Sequence, residues 1–156
     1  MKTLITLSTL AASVLTTHFA SADTPMGTGT WEGSGNAVQR DGKKLSAFDV
    51  TITRKAAGDR KVRADGIVKL QDGREIRFWQ EFEGSAEGFR LVSDRGNGGG
   101  RCFDNGMCQL YEEAKDGRAF ATALTKDNGG QLRLVITELD HGKAVKFIYQ
   151  TLRKTN

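Results

Sequence analysis

The spacing of turn signals constrains this chain more than any other feature. Asp41-Gly42, Gly58-Asp59, Asp72-Gly73, Gly84 to Gly88, Asp116-Gly117, Asn128-Gly129-Gly130 and Asp140-His141-Gly142 recur along the chain, and no segment between them carries a 3.6-residue apolar stripe of helical length. Asp-Gly and Asn-Gly supply the left-handed backbone of tight hairpin turns. The intervening segments alternate apolar and polar residues with period two. Phe48, Val50 and Ile52 oppose Asp49, Thr51 and Thr53, and Leu132, Leu134 and Ile136 oppose Arg133, Val135 and Thr137. Ile76, Phe78 and Phe82 oppose Glu75, Arg77 and Glu81, with Trp79 the exception on the charged face. The pattern predicts strands near 29–38, 46–55, 61–70, 74–83, 88–93, 107–113, 118–125, 131–138 and 143–153. The one proline, Pro25, precedes them all, so no strand interior lacks a ladder donor. Many short strands leave costly edges, and closure removes edges. The expected fold is all-β: an antiparallel up-and-down meander closed into a barrel of eight or nine strands. A barrel of that size encloses one small ligand or fills its interior with side chains.

The first residues read as an export signal. Lys2 provides the positive end, Leu4 to Leu15 is mostly apolar, and Ala20-Ser21-Ala22 is a small-x-small cleavage site. Residues 1–22 are expected to be the leader and 23–156 a single barrel domain. The apolar run is too short for a transmembrane anchor. Loss of Lys2 lowers the formal charge from +4 by one, and both signs are interspersed along the mature chain. Such a balance gives little reason to expect nucleic acid as a partner. Export and two cysteines favour one disulfide in an oxidising compartment, placing the protein in the periplasm of a bacterium or outside the cell.

Gly29-Thr30-Trp31-Glu32-Gly33 opens the first strand soon after the leader. Gly-x-Trp in this place resembles the opening of lipocalin and other calycin barrels, and the meander over 27–153 is similar to theirs. In that family the Trp closes one end of the barrel against a basic residue from a late strand. The resemblance implies Trp31 in that role with Arg153 as its partner, or Arg133 in second place. It also implies binding of a small apolar ligand. The chain departs from the family in its cysteines, which lie close together and do not tie back the C-terminus.

Catalysis lacks its usual materials. His18 leaves with the leader, and His141 lies in a turn sequence. There is no Gly-x-Ser-x-Gly, and one histidine with two cysteines makes a poor metal cluster. Glu81 and Glu83 read as solvated strand charge. No enzyme, cofactor or metal is expected. Ala119, Ala121 and Ala123 share one face of their strand. If they face inward, the space they leave is a ligand pocket with Phe78 and Phe82; if outward, that argument lapses. Arg90 and Arg101, with Arg95, suit an anion-attracting rim, and Trp79 suits an interaction surface. The expected function is capture of a small amphiphilic molecule without turnover. The alternative is a filled barrel that contacts or inhibits another envelope protein.

The stretch RGNGGGRCFDNGMC, residues 95–108, lacks the Lys-Ser or Lys-Thr ending of a phosphate cradle, and its cysteines are too far apart for a Cys-x-x-Cys redox pair. A Cys102–Cys108 disulfide across an Asn105-Gly106 turn remains, expected as a rigid-tipped flap beside the barrel mouth.

Overall fold

The computed structural model describes residues 27–85 and 87–155, so the predicted leader and its cleavage site lie outside the described residues. Ten strands follow in order: β1 (Gly29–Gln39), β2 (Lys44–Gly58), β3 (Lys61–Leu70), β4 (Glu75–Ser85), β5 (Gly88–Ser93), β6 (Gly96–Cys102), β7 (Cys108–Ala114), β8 (Arg118–Lys126), β9 (Leu132–Asp140) and β10 (Lys143–Thr155). Each pairs antiparallel with the next, and β1 pairs with β10, with Trp31 opposite Lys154 and Ala37 opposite Ile148. The meander and its closure are as the alternation and turn spacing predict.

The count of eight or nine strands is corrected to ten. The additional strand is β6, in the glycine-rich stretch expected to be a flap. Ser93 turns the chain there: its hydroxyl accepts hydrogen bonds from the Arg95 amide at 3.0 Å and the Gly96 amide at 3.1 Å. The glycines then serve close approach. A Cβ on Gly98 would lie 1.9 Å from the carbonyl oxygen of Tyr111, and one on Gly96 would lie 1.7 Å from that of Glu113. At Gly96, Gly98 and Gly100 only a residue without a side chain lets β6 run this near β7. Absence of alternation disguised the strand, because glycine carries no apolar or polar sign to read.

In an up-and-down barrel the hairpins alternate between the two ends. The β1–β2, β3–β4, β5–β6, β7–β8 and β9–β10 turns share one end, here called the hairpin end. The others, with both termini of the barrel, share the opposite one. Much of the core gathers toward this terminal end: Trp31, Ile52, Phe82, Phe89, Leu91, Leu124, Leu132 and Leu152 are all buried there. At the hairpin end Leu45 and Ile76 are exposed.

The disulfide joins Cys102 to Cys108, which face each other across the β6–β7 hairpin. Its turn is closed by Phe103 donating to the Met107 carbonyl at 2.8 Å and by Met107 donating to the Asn105 side chain at 3.1 Å. The bridge exists as expected, but its position does not: it staples the terminal end, away from Leu45 and Ile76.

Candidate ligand-binding site

Beyond the packed terminal core the barrel keeps a cavity of about 550 Å³. Phe48, Ile52, Val68, Phe78, Leu134 and Ile148 supply apolar wall, while Gln80, Thr122 and Gln150 add a few polar groups. Leu45, Ile76 and Arg77 border it toward the hairpin end. Glycines opposite aromatic residues help to keep this space open. The Phe78 ring lies over Gly66, where a Cβ would come within 2.1 Å of it, and the Phe48 ring lies over Gly35 at 2.5 Å. Each ring therefore rests against the wall at a position where a side chain would hold it off.

At the inner end of the cavity stands Arg54. It continues the inward phase of Phe48, Val50 and Ile52, and is only 2% exposed. Its guanidinium lies over the Phe82 ring at 4.7 Å, and Phe82 meets Phe89 edge-to-face at 5.7 Å. Nε, Nη1 and Nη2 are all buried without a hydrogen-bond partner among the described residues. Burial pushes the guanidinium pKa down to about 10, because the low-dielectric surroundings disfavour the charged form. Trp31 is buried in register with Ile52, and its Nε1 has no hydrogen-bond partner among the described residues.

The other buried charges, Glu112 and Glu138, lie toward the hairpin end and are paired, whereas Lys126 and Lys154, in phase with the inward Leu132 and Trp31, are exposed at the terminal rim. Glu112 accepts from Ser93 Oγ and from Arg95 Nη2 at 2.8 Å, while the Arg95 guanidinium lies 4.3 Å from the Phe120 ring centre. Glu138 accepts from Arg118 Nη1 at 2.8 Å and from Lys146 Nζ. Burial alone would push its carboxyl pKa up, but the bonds from Lys146 and Arg118 outweigh this and hold it below the usual carboxylate range. Arg118 also grips Asp116, whose pKa is lowered by the side-chain and backbone hydrogen bonds of that arginine. Among the described residues, no group of three or more His, Cys, Asp and Glu is placed to hold a metal.

The residues singled out in the sequence divide between the two faces of the wall. Phe78 and Phe82 line the cavity. Ala119, Ala121 and Ala123 do not. Their register partners are Leu139, Thr137 and Val135, whereas the alternate residues Phe120 and Leu124 are buried inside. The open question of their facing is thus decided outward, and the alanine-lined pocket is withdrawn. Ala121 and Ala123 instead floor an open depression of about 580 Å³ on the outside, beside Tyr111 and Val135.

Arg90 and Arg101 also point away from the lumen, because the inward positions of their strands are Phe89, Leu91, Gly100 and Cys102. Arg90 is exposed in register with Glu83, and Arg101 lies 4.7 Å from the Phe103 ring. The rim expected from this pair does not border the cavity; Arg95 does. Arg153 stands opposite Glu32 on the outside, one residue out of phase with Trp31, so the basic partner implied for Trp31 is corrected as well. Arg133 is likewise out of phase with the inward Leu132 and Leu134. Trp79 is outward and half-buried, with Arg63 over its ring at 4.8 Å.

Arg54 escaped the sequence reading, although the signal was present. Extending the Phe48-Val50-Ile52 alternation by one step puts a cation inside the barrel, and the same extension of Leu132-Leu134-Ile136 brings in Glu138.

The fold is similar to that of the S-type phycobiliprotein lyase CPES from Guillardia theta, with a TM-score of 0.66 and 12% identity over 83% of this chain and 89% of that one. It is also similar to a protein of unknown function of the DUF3598 family from Nostoc punctiforme, with a TM-score of 0.59 and 13% identity over 82% of this chain and 47% of that longer one. Identities this low establish the fold alone, an antiparallel closed barrel, and leave its chemistry to its own residues. No family model matches the sequence, and no curated protein matches it.

Proposed function

We propose that this protein is an exported barrel that reversibly encloses one small, largely apolar molecule and does not transform it. The observation that carries this reading is the cavity, whose volume of about 550 Å³ and mainly apolar wall with a few polar groups match those of small-molecule sites. Enclosure gives affinity through burial at about 25 cal/mol per Å² of apolar surface, reduced by the cost of ordering the ligand. A barrel built to contact a protein would gain nothing from leaving this volume open, and Trp79, the residue suited to such contact, is partly covered by Arg63. Export rests on the sequence of residues 1–22 and agrees with the disulfide. The similar lyase from Guillardia theta makes turnover the reading to exclude by assay.

The test is native mass spectrometry of the protein purified from the cell envelope, followed by titration with N-phenyl-1-naphthylamine, a neutral apolar fluorophore. A stoichiometric small-molecule adduct and saturable one-to-one fluorophore binding are expected. A protein with no adduct that also fails to bind the fluorophore overturns the reading. A bound compound recovered chemically altered after incubation overturns the absence of turnover.

A further inference from the structure

We propose that the inner end of the cavity is an anion site, in which Arg54 receives the carboxylate of an apolar-tailed acid that lies head inward and tail toward the hairpin end. The inference deepens the enclosure reading and rests on it. It begins from an imbalance. A guanidinium carries five N–H donors, and an unpaired cation in a protein interior is strongly disfavoured because it has lost its hydration. At Arg54 no hydrogen bond from the described residues relieves this cost: the side chain is 2% exposed and none of its nitrogens has a hydrogen-bond partner among them.

The barrel's own acids do not answer it. Among the described residues the two buried carboxylates are committed elsewhere, Glu112 to Ser93 and Arg95, and Glu138 to Arg118 and Lys146. The guanidinium of Arg54 lies over the Phe82 ring at 4.7 Å. A ring attracts the cation through its π-face and accepts no conventional hydrogen bond from the guanidinium fork. That fork matches a carboxylate bidentately.

The surroundings define where the carboxylate goes. Arg54 is in register with Ala64, and Ala64 with Gln80, so three inward residues form one row across β2, β3 and β4. Ala64 is a short step between two long polar side chains, and all three border the cavity. An anion above the Ala64 methyl would meet the guanidinium on one side and the Gln80 amide on the other. From there Val68, Phe78 and Ile76 lead an apolar path outward. A single cation at the inner end suits a monoanion, and the apolar path suits a hydrocarbon tail without further charges.

The probes are dodecanoate and 1-dodecanol, which share a tail and differ in charge at the head. Their affinities are measured at pH 8 by calorimetry, with N-phenyl-1-naphthylamine as an independent reporter of the cavity. The wild-type protein is expected to prefer dodecanoate by about 10- to 100-fold, the range of one charge-assisted hydrogen-bonded contact. R54M is expected to lose that preference while still binding the naphthylamine and dodecanol; R54K, which keeps the charge without the fork, should retain part of it. Equal wild-type affinity for acid and alcohol, or binding of neither, overturns the anion site, as does a preference that survives in R54M. Failure of the wild-type protein to bind the naphthylamine instead counts against enclosure of apolar molecules, while a dodecanoate preference seen by calorimetry would still uphold the anion site. The wild-type comparison requires no variant to fold.

Discussion

Arg54→Met should make the ligand-free protein more stable. The guanidinium pKa of about 10 corresponds to about 3 kcal/mol of lost solvation in the charged form. Methionine of comparable length removes that cost and keeps apolar contact with Phe82. Against this stands the lost cation–π contact, worth about 1–2 kcal/mol in a desolvated site. The net expectation is a gain of roughly 1–2 kcal/mol at pH 7, or about 3–8 °C in Tm for a domain of this size. The pH dependence follows from the sign of the shift. Below about pH 10 arginine is charged in both folded and unfolded chains, so the full penalty applies. Between that pH and its higher unfolded value the unfolded chain binds more protons, and wild-type stability rises relative to the variant. Urea unfolding of extracted, ligand-free protein at pH 7 and at pH 11 measures both quantities. A variant less stable than wild type by more than about 1 kcal/mol at pH 7 would refute the reasoning, because Arg54 would then be satisfied in the native state.

Gly98→Ala places a Cβ 1.9 Å from the Tyr111 carbonyl oxygen and should cost about 3 kcal/mol or more by urea unfolding; a near-neutral result would mean that β6 can move away from β7 cheaply. Replacing Cys102 and Cys108 together with serine should cost about 2–2.5 kcal/mol from loop closure and raise amide exchange in the β6–β7 hairpin. It should leave naphthylamine binding unchanged, because that hairpin is at the terminal end. Glu138→Gln should cost about 1–3 kcal/mol at neutral pH. Since the Glu138 carboxyl is held below its ordinary range, its contribution is complete above the unfolded value and disappears as pH falls through the folded one. Wild type and variant should therefore converge in stability in acid, and a gap that persists there would show that packing, not charge, sets the effect.

Much of the wall was legible because its rule is local. Alternation in Phe48-Val50-Ile52 and Leu132-Leu134-Ile136 depends only on the two-residue period of a strand, and His141-Gly142 declares its turn through its own backbone: both residues adopt positive φ, 48° and 76°. The glycine stretch of β6 was illegible for the opposite reason. Its pairing is specified by what a side chain would strike on β7, and this contact is written in two segments at once. The alanine row shows the same limit. Ala119, Ala121 and Ala123 share a face by sequence, but the outward choice was made by Phe120 and Leu124 taking the inside.

By itself the sequence determined an antiparallel closed meander, its turns and a disulfide between Cys102 and Cys108, because turn chemistry, period two and cysteine count act over a few residues. Tertiary structure decided which phase of each strand faces the lumen, that the disulfide staples the terminal end, and that Arg54 is enclosed without an acid to answer it. These properties depend on closure: a cation on an open strand reaches water, whereas the same residue inside a ten-stranded barrel meets only what the other strands present.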